Sequence, residues 1–428
     1  MQIEELYEFY LKYPQVQTDT RQLKKGDIFF ALKGPYFNGN LYASTALSMG
    51  ASGVVVDEPI GIEGDNIFHV ADVLSALQSL ALHHRKQFNI PFLAITGSNG
   101  KTTTKELIHA VLSTTYKTYT TKGNLNNHIG VPLTLLSIRN DAEMAIIEMG
   151  ANHQKEIESY CRIALPTHGL ITNCGKAHLE GFGGVEGIRK GKGELFDFIA
   201  QHKGTVFINS DLDYLEPMSA NIQHKIYYGN HKGLYPSRIL DTEKLLGLEI
   251  SLAGNNQQRI FSQLVGSYNK ANIDAAIGVG FHFGISFDKI RDAIETYVPD
   301  NARSQLIKRG NNTIILDAYN ANPSSMQAAI ENFAKMEGDN KFLFLGAMME
   351  LGKESLHEHQ QLIGLLSRLQ LYNTILVGGD FANTEHHFQF FANVTEASAW
   401  LKDHIPSNAQ LLIKGSRSMK MEKLLEVL

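Results

Sequence analysis

The residues best suited to chemistry lie in the run Leu93-Ala94-Ile95-Thr96-Gly97-Ser98-Asn99-Gly100-Lys101-Thr102-Thr103-Thr104-Lys105-Glu106. An apolar stretch enters a turn containing Gly97 and Gly100 and leaves as a helical pattern. Glycines there let backbone N–H groups curl around phosphate oxygens, Lys101 neutralises their charge, and the Thr102 hydroxyl is suited to magnesium. The spacing points to a nucleoside triphosphate. It departs from the common phosphate loop because Ile95 stands where the first glycine would be, and an ordinary strand-to-helix turn is the competing account. Magnesium also needs a carboxylate near the end of an adjacent strand, and Glu148 follows the apolar run Ala145-Ile146-Ile147. Standing alone, such a residue is more often a helix cap or a solvated loop residue.

The elements that must position these groups fall into three segments. The first, residues 1–86, mixes short strand-like runs (Ile28 to Leu32, Val54 to Val56) with turns such as Lys25-Gly26-Asp27, and closes on a helical stretch from Val73 to Lys86. Pro91 follows as a boundary marker. The second, residues 87–299, alternates strand, glycine loop and helix, with further strands at Ala145 to Ile147 and Gly169 to Thr172. Such alternation predicts a mostly parallel sheet with ligands at the carboxyl ends of its strands. The third, residues 300–428, begins after Tyr297-Val298-Pro299-Asp300-Asn301 and carries strands at 313–316, 342–345, 374–377 and 411–413. The expected fold is therefore α/β in three domains. A central phosphate-loop-type sheet is flanked by a small amino-terminal α/β domain and a Rossmann-like carboxy-terminal one.

Composition limits the alternatives. A chain of 428 residues exceeds the size at which one core stops growing. With 43% hydrophobic and 19% charged residues it is an ordered globular protein rather than a disordered one. A net charge of -5 argues against a nucleic-acid surface while leaving room for a local cationic cleft. Cys161 and Cys174 lack the spacing of a zinc site or disulfide framework and suit a reducing compartment. Glu4, Glu5 and Glu8 stand where a secretory signal would be basic and then apolar, and no apolar run approaches the roughly 20 residues of a membrane span. A cytoplasmic monomer without a transmembrane segment is expected.

The phosphate-loop run, Glu148 and Asn173-Cys174-Gly175-Lys176-Ala177-His178-Leu179-Glu180 together resemble the Mur ligase family. The match extends over nearly the whole chain. Gly123 to Thr134, Asp317-Ala318-Tyr319-Asn320-Ala321-Asn322-Pro323 and Lys414-Gly415-Ser416-Arg417-Ser418-Met419-Lys420 resemble its dipeptide-adding branch. The resemblance implies an ATP-dependent ligase of peptidoglycan precursor synthesis, which adds D-alanyl-D-alanine to UDP-N-acetylmuramoyl-tripeptide through an acyl phosphate. It implies that Gly97, Ser98, Asn99, Gly100, Lys101, Thr102 and Thr103 hold the ATP phosphates, with Thr102 and Glu148 on one Mg2+ and His178 on a second. Lys192 aligns with a lysine that is carbamylated in related ligases, CO2 converting its amine into an anionic oxygen ligand. An unmodified phosphate-binding or solvent-facing lysine is the alternative.

The resemblance further places Asn269, Asn272, Arg303, Asp317, Tyr319 and Asn320 around the nucleotide, Asp317 suiting ribose hydroxyls and Tyr319 the base. Asn272 is also a plausible helix cap, Arg303 a surface ion pair and Tyr319 a packing residue. Thr20 and Arg21 are assigned to the uridine diphosphate, and Asn124, Asn126 and Asn127 to substrate positioning, where a polar loop with Asx turns is the plain alternative. Lys414, Ser416 and Arg417 are assigned to the dipeptide carboxylate or an interdomain contact. Phe37-Asn38-Gly39-Asn40 departs from the usual aspartate and histidine around that glycine. Met348-Met349-Glu350-Leu351-Gly352 also resembles the branch, with its methionines read as packing. Two competing functions are a folylpolyglutamate synthase-like ligase and a nucleotide-dependent switch protein. Asn269-Lys270-Ala271-Asn272 lacks the acidic residue of a guanine-recognition motif, which weighs against the second.

Overall fold

The computed structural model describes residues 3–61, 63–241, 244–254, 256–299 and 302–428. Asp300 and Asn301 of the expected junction, and Met1 and Gln2 of the acidic amino terminus, lie outside the described residues.

Three α/β units follow one another along the chain. In the first, strands Val16–Gln17, Ile28–Phe30, Gly53–Val56 and Ile67–His69 form a parallel sheet in that order. Its two central strands are buried at every position, as expected where helices cover both faces. Helix Val73–Arg85 starts where the Asp72 carboxylate accepts from Ser75 N–H at 2.7 Å, and it buries Val73, Leu77, Leu80 and Ala81 at helical spacing. Its last turn reaches the second unit: the Arg85 guanidinium donates to the Ala164 and Leu165 carbonyls and lies 3.6 Å over the Phe92 ring. Burial pushes the Arg85 pKa down to about 10.

The central sheet is parallel throughout, in the spatial order His224–Tyr228, Thr205–Asn209, His168–Ile171, Phe92–Thr96, Met144–Glu148, Thr118–Thr120. The strand entering the glycine loop thus has Met144–Glu148 on one side and His168–Ile171 on the other. The order in which the chain adds strands switches sides at it, which opens a crevice at the carboxyl ends of these three strands. Register places Glu148 beside Ile95, so this carboxylate is delivered to the mouth of the loop. A three-stranded antiparallel sheet, Ser237–Leu240, Leu245–Leu252 and Asn256–Val265, joins this unit and is not among the elements the sequence reading picks out.

The third unit has strands Gln305–Arg309, Asn312–Asp317, Gln410–Lys414, Lys341–Gly346, Thr374–Val377 and Gln389–Phe391 in that order, antiparallel only at the first pair. Helix Pro323–Lys335 opens with a capping box between Asn322 and Ser325 and a proline in its first turn. One continuous apolar cluster runs through all three units, from Leu6 through Ile147 to Leu412, and separate clusters fill the opposite sheet faces. Among the described residues, no helix is long and apolar enough to cross a membrane.

Candidate active site

A cavity of about 790 Å³ lies between the second and third units, lined among others by Lys101, Glu148, His178, Asp317, Tyr319 and Arg417. Its floor is the glycine loop. Gly97 has φ 143°, and a β-carbon there would stand 2.0 Å from Thr172 Oγ1. Gly100, at φ 79°, begins helix Lys101–Leu112, and a β-carbon on it would meet Asn272 Oδ1 at 2.6 Å. Both positions need the left-handed freedom and the missing side chain of glycine. The loop is tied to the next strand's end. Asn99 N–H donates to Asn173 Oδ1 at 3.1 Å, the Thr172 hydroxyl to Asn99 O at 2.6 Å, and the Ser98 hydroxyl to Gly175 O at 2.7 Å.

Lys101 folds its ammonium back onto the Gly97 and Ser98 carbonyls, at 2.7 and 3.3 Å. Burial holds its pKa below the usual lysine range, partly offset by the Glu148 charge. Glu148 is almost wholly buried. It accepts from the Thr102 hydroxyl at 3.0 and 3.1 Å and from the Asn126 amide at 2.8 Å, and Lys105 Nζ stands 4.0 Å away. One carboxylate and one hydroxyl beside the glycine loop form a donor set that would fit Mg2+, an ion that takes few protein ligands and fills its shell with phosphate oxygens and water. No group of three or more His, Cys, Asp or Glu side chains that could hold a metal ion is found among the described residues.

The asparagines divide by role. Thr104 donates to Asn272 Oδ1, Asn272 Nδ2 to Asn269 Oδ1, and Asn269 Nδ2 to Val265 O, all between 2.8 and 2.9 Å. Asn269 and Asn272 therefore line the cavity but spend these groups knitting the loop helix to helix Lys270–His282. Asn126 reaches Glu148, whereas Asn127 Oδ1 accepts the Ile129 and Gly130 N–H groups as an Asx turn. Asn124 is exposed on the cavity rim, and Thr103 also lines the cavity.

His178 caps helix Leu179–Phe182 with φ 52°, and its Nδ1 meets the Glu350 carboxylate from the third unit. That contact holds the Glu350 carboxyl below its ordinary pKa. Lys192 sits on helix Val185–Gln201, is 1% exposed, and is not on the cavity wall. Its amine donates to the carbonyl of wall residue Ala151 at 3.1 Å and lies 4.9 Å from the Phe182 ring centre. Burial, then repulsion from Lys101, pushes its pKa down to about 7. The solvent-facing alternative for Lys192 is thereby excluded by its position.

From the third unit, Arg303 stacks 3.6 Å over the Tyr319 ring, and Arg417 donates to the Tyr319 hydroxyl at 3.2 Å. Among the described residues, the buried Arg303 Nε has no hydrogen-bond partner. Lys414 pairs with Asp317 at 2.5 Å, as register side by side requires, and also donates to Asn320 O at 3.3 Å. The Ser416 hydroxyl is buried, accepts Met349 N–H at 3.0 Å and donates to Ala321 O, so it braces two loops and does not face the cavity. Thr20 and Arg21 lie on a turn of the first unit outside the cavity, where Arg21 is exposed and paired with Asp19 at 2.7 Å. Asn38 and Asn40, at the departing motif, are consumed in a network with Asp57 and Glu58.

Contacts across the units add residues not singled out from sequence. Asn322 Nδ2 donates to Asn99 Oδ1 at 2.7 Å, Lys176 N–H to Ser324 Oγ at 2.9 Å, and the Lys176 ammonium to Glu358 at 2.6 Å. Asn322 and Lys176 lie inside quoted motifs, whereas Ser324 and Glu358 carried no sequence signal of their own.

Comparison with known proteins gives a family context. A model of the Mur ligase middle domain matches residues 95–280, and one of the Mur ligase glutamate ligase domain matches residues 302–417. The UDP-N-acetylmuramoyl-tripeptide--D-alanyl-D-alanine ligase of Bacillus subtilis (strain 168) is 34% identical, covering 96% of this chain and 92% of that protein. A crystal structure of MurF from Acinetobacter baumannii superposes with a TM-score of 0.87 at 28% identity, covering 99% of this chain and 97% of that one. The ligase MurF from Thermotoga maritima, in complex with ADP, gives 0.86 at 25% identity, covering 97% of each chain.

Proposed function

The chain belongs to the Mur ligase family, and from that premise we propose that it is an ATP-dependent ligase joining D-alanyl-D-alanine to UDP-N-acetylmuramoyl-tripeptide in peptidoglycan precursor synthesis. The observation that carries this reading is the junction of a glycine phosphate cradle and a buried Glu148–Thr102 pair with a cavity closed by the third unit. Full-length likeness to dipeptide ligases favours it over a folylpolyglutamate-type ligase or a nucleotide switch.

A carboxylate is a poor electrophile, so its oxygen must become a leaving group. Phosphoryl transfer from ATP gives an acyl phosphate and ADP; the dipeptide amine attacks the carbonyl carbon, loses a proton, and phosphate departs as the amide forms. The chain's share is alignment and charge neutralisation in a cleft shielded from water. Gly97 to Thr103 hold the phosphates, and Lys101 turns from its loop carbonyls to them. Thr102 and Glu148 would hold one Mg2+, and His178, with Lys192 once carbamylated, would hold a second. When bound, these ions neutralise the charge gathered on the phosphate oxygens. Asn269 and Asn272 keep the cradle in shape, while Arg303, Asp317, Tyr319 and Asn320 face the nucleotide. Asn124, Asn126 and Asn127 position the acyl substrate, Lys414, Ser416 and Arg417 shape the dipeptide end, and Thr20 and Arg21 meet the uridine diphosphate. In this division of labour residues 1–86 bind the UDP-sugar, 87–299 carry ATP and the reaction, and 300–428 complete the ATP and dipeptide site. The enzyme acts in the cytoplasm as a monomer.

A matched assay tests this, omitting each substrate in turn while ADP and product mass are measured. ADP formation that requires both the muropeptide and the dipeptide, with a product heavier by the dipeptide less water, is expected. Nucleotide turnover indifferent to the dipeptide would refute the proposal.

A further inference from the structure

Glu350 approaches His178 from the third unit, and both ends of this contact are built unusually. His178 has φ 52° and Glu350 φ 62°, left-handed conformations that non-glycine side chains adopt at a cost and keep only where their surroundings hold them. The Glu350 loop is braced on three sides. Met348 N–H donates to His359 Nε2 at 3.1 Å, and the other nitrogen of that buried ring, Nδ1, contacts Ser355 O at 2.7 Å. Met349 N–H donates to Ser416 Oγ, and Ser416 N–H returns to Ala347 O at 3.2 Å. Behind Glu350, Gly352 has φ 53°, and a β-carbon on it would press against Glu180 at 3.0 Å. The strain and bracing converge on placing one carboxylate against one imidazole nitrogen.

The chemistry of that placement is specific. A carboxylate facing Nδ1 keeps a proton on that nitrogen, so Nε2 presents its lone pair, and the ring is held in one orientation. We infer that Glu350 is a positioning residue for His178, supplied across the junction between the second and third units, which fixes the ring's tautomer and leaves Nε2 free for the reaction centre. This inference rests on the proposed ligase reading, in which His178 serves the phosphate end of the cleft. The flanking Lys176–Glu358 pair joins the same two segments, so docking of the third unit and orientation of His178 occur together.

The test combines a measurement that needs no turnover with one that does. In nucleotide-free, metal-free protein labelled with 15N-histidine, at one fixed pH, His178 is expected in the Nδ1–H form; the His178→Gln protein assigns its signals. Glu350→Ala should shift the ring toward the Nε2–H form, and Glu350→Gln, whose amide oxygen still accepts, should retain part of the wild-type signature. In the ligase assay, Glu350→Ala should lower kcat about 10- to 100-fold with KM for ATP nearly unchanged, and Glu350→Gln should recover part of the loss. An unchanged tautomer in Glu350→Ala, or an unchanged kcat, overturns the inference. If wild-type protein fails to join the dipeptide, the ligase reading fails while the spectra still report whether Glu350 sets the ring.

Discussion

At the residue scale, the two groups whose burial is hardest to explain without function are Glu148 and Lys192. Glu148→Gln keeps size and most hydrogen bonds but removes the charge that faces Thr102 and Lys105. ADP formation should fall by about 10²-fold or more with an unchanged circular dichroism spectrum, since electrostatic stabilisation of phosphoryl transfer is lost. Retained turnover would remove Glu148 from the site. Lys192 has its pKa held at about 7 against an ordinary 10.5. The cost of burying the cation is therefore present in full below about pH 7 and fades as pH rises toward 10.5, where the unfolded chain also loses the proton. Only the neutral amine combines with CO2. Protein equilibrated with 13C-bicarbonate should show a carbamate carbon signal that is absent from Lys192→Ala and weakens as pH falls below about 7 at constant dissolved CO2. Activity lost in Lys192→Ala should be restored in part by small carboxylates, and full activity without them would exclude the carbamate. The residue types at these positions were legible in the sequence. Their burial was not, because the walls around Lys192 include Ala151, 41 positions away in the chain, and Phe182, folded back from the short preceding helix.

At the element scale, the strand-to-helix turn depends on Gly100 having no side chain. Gly100→Ala imposes a left-handed conformation on an L-residue, costing about 1–2 kcal/mol, and drives a methyl into Asn272, which disturbs the Thr104–Asn272–Asn269 chain. Urea unfolding should show a loss of that order or larger, and calorimetry a weaker affinity for ATP; an unaltered midpoint and affinity would contradict the packing described here. The parallel strands that were readable, such as Val54 to Val56 and Ala145 to Ile147, have runs that are apolar on both faces and end at glycine or polar turns, whereas Thr118–Thr120, Thr205–Asn209 and His224–Tyr228 of the central sheet were not picked out. The antiparallel sheet of Ser237–Leu240, Leu245–Leu252 and Asn256–Val265 was not readable either, because Asn256–Val265 exposes much of one face and Leu245–Leu252 carries Glu249, whose charge is met by Arg238 and Arg259 on the neighbouring strands. A strand that depends on its neighbours for burial and charge balance leaves a weak periodic signal of its own.

For the whole molecule, the third unit meets the second through the apolar cluster that runs across all three units and through polar contacts beside the cavity, among them Lys176 with the buried Glu358, a pair of opposite charges. Lys176→Ala leaves Glu358 without this partner, at a cost of roughly 1–3 kcal/mol to the docked arrangement. Small-angle scattering should show a larger radius of gyration without nucleotide, and KM for ATP should rise severalfold; unchanged values of both would show that the pair does not hold the units together. The sequence by itself determined the glycine loop between strand and helix, the order of three α/β units and the family, because these depend on local spacing and on motifs contiguous in the chain. Only the tertiary structure decided that Ser416 braces loops, that Lys414 is committed to Asp317, that Lys192 lies behind the cavity wall, and that Glu350 meets His178. Each of these depends on side chains brought together from distant strands and helices, where burial and partner, rather than residue type, set what a group can do.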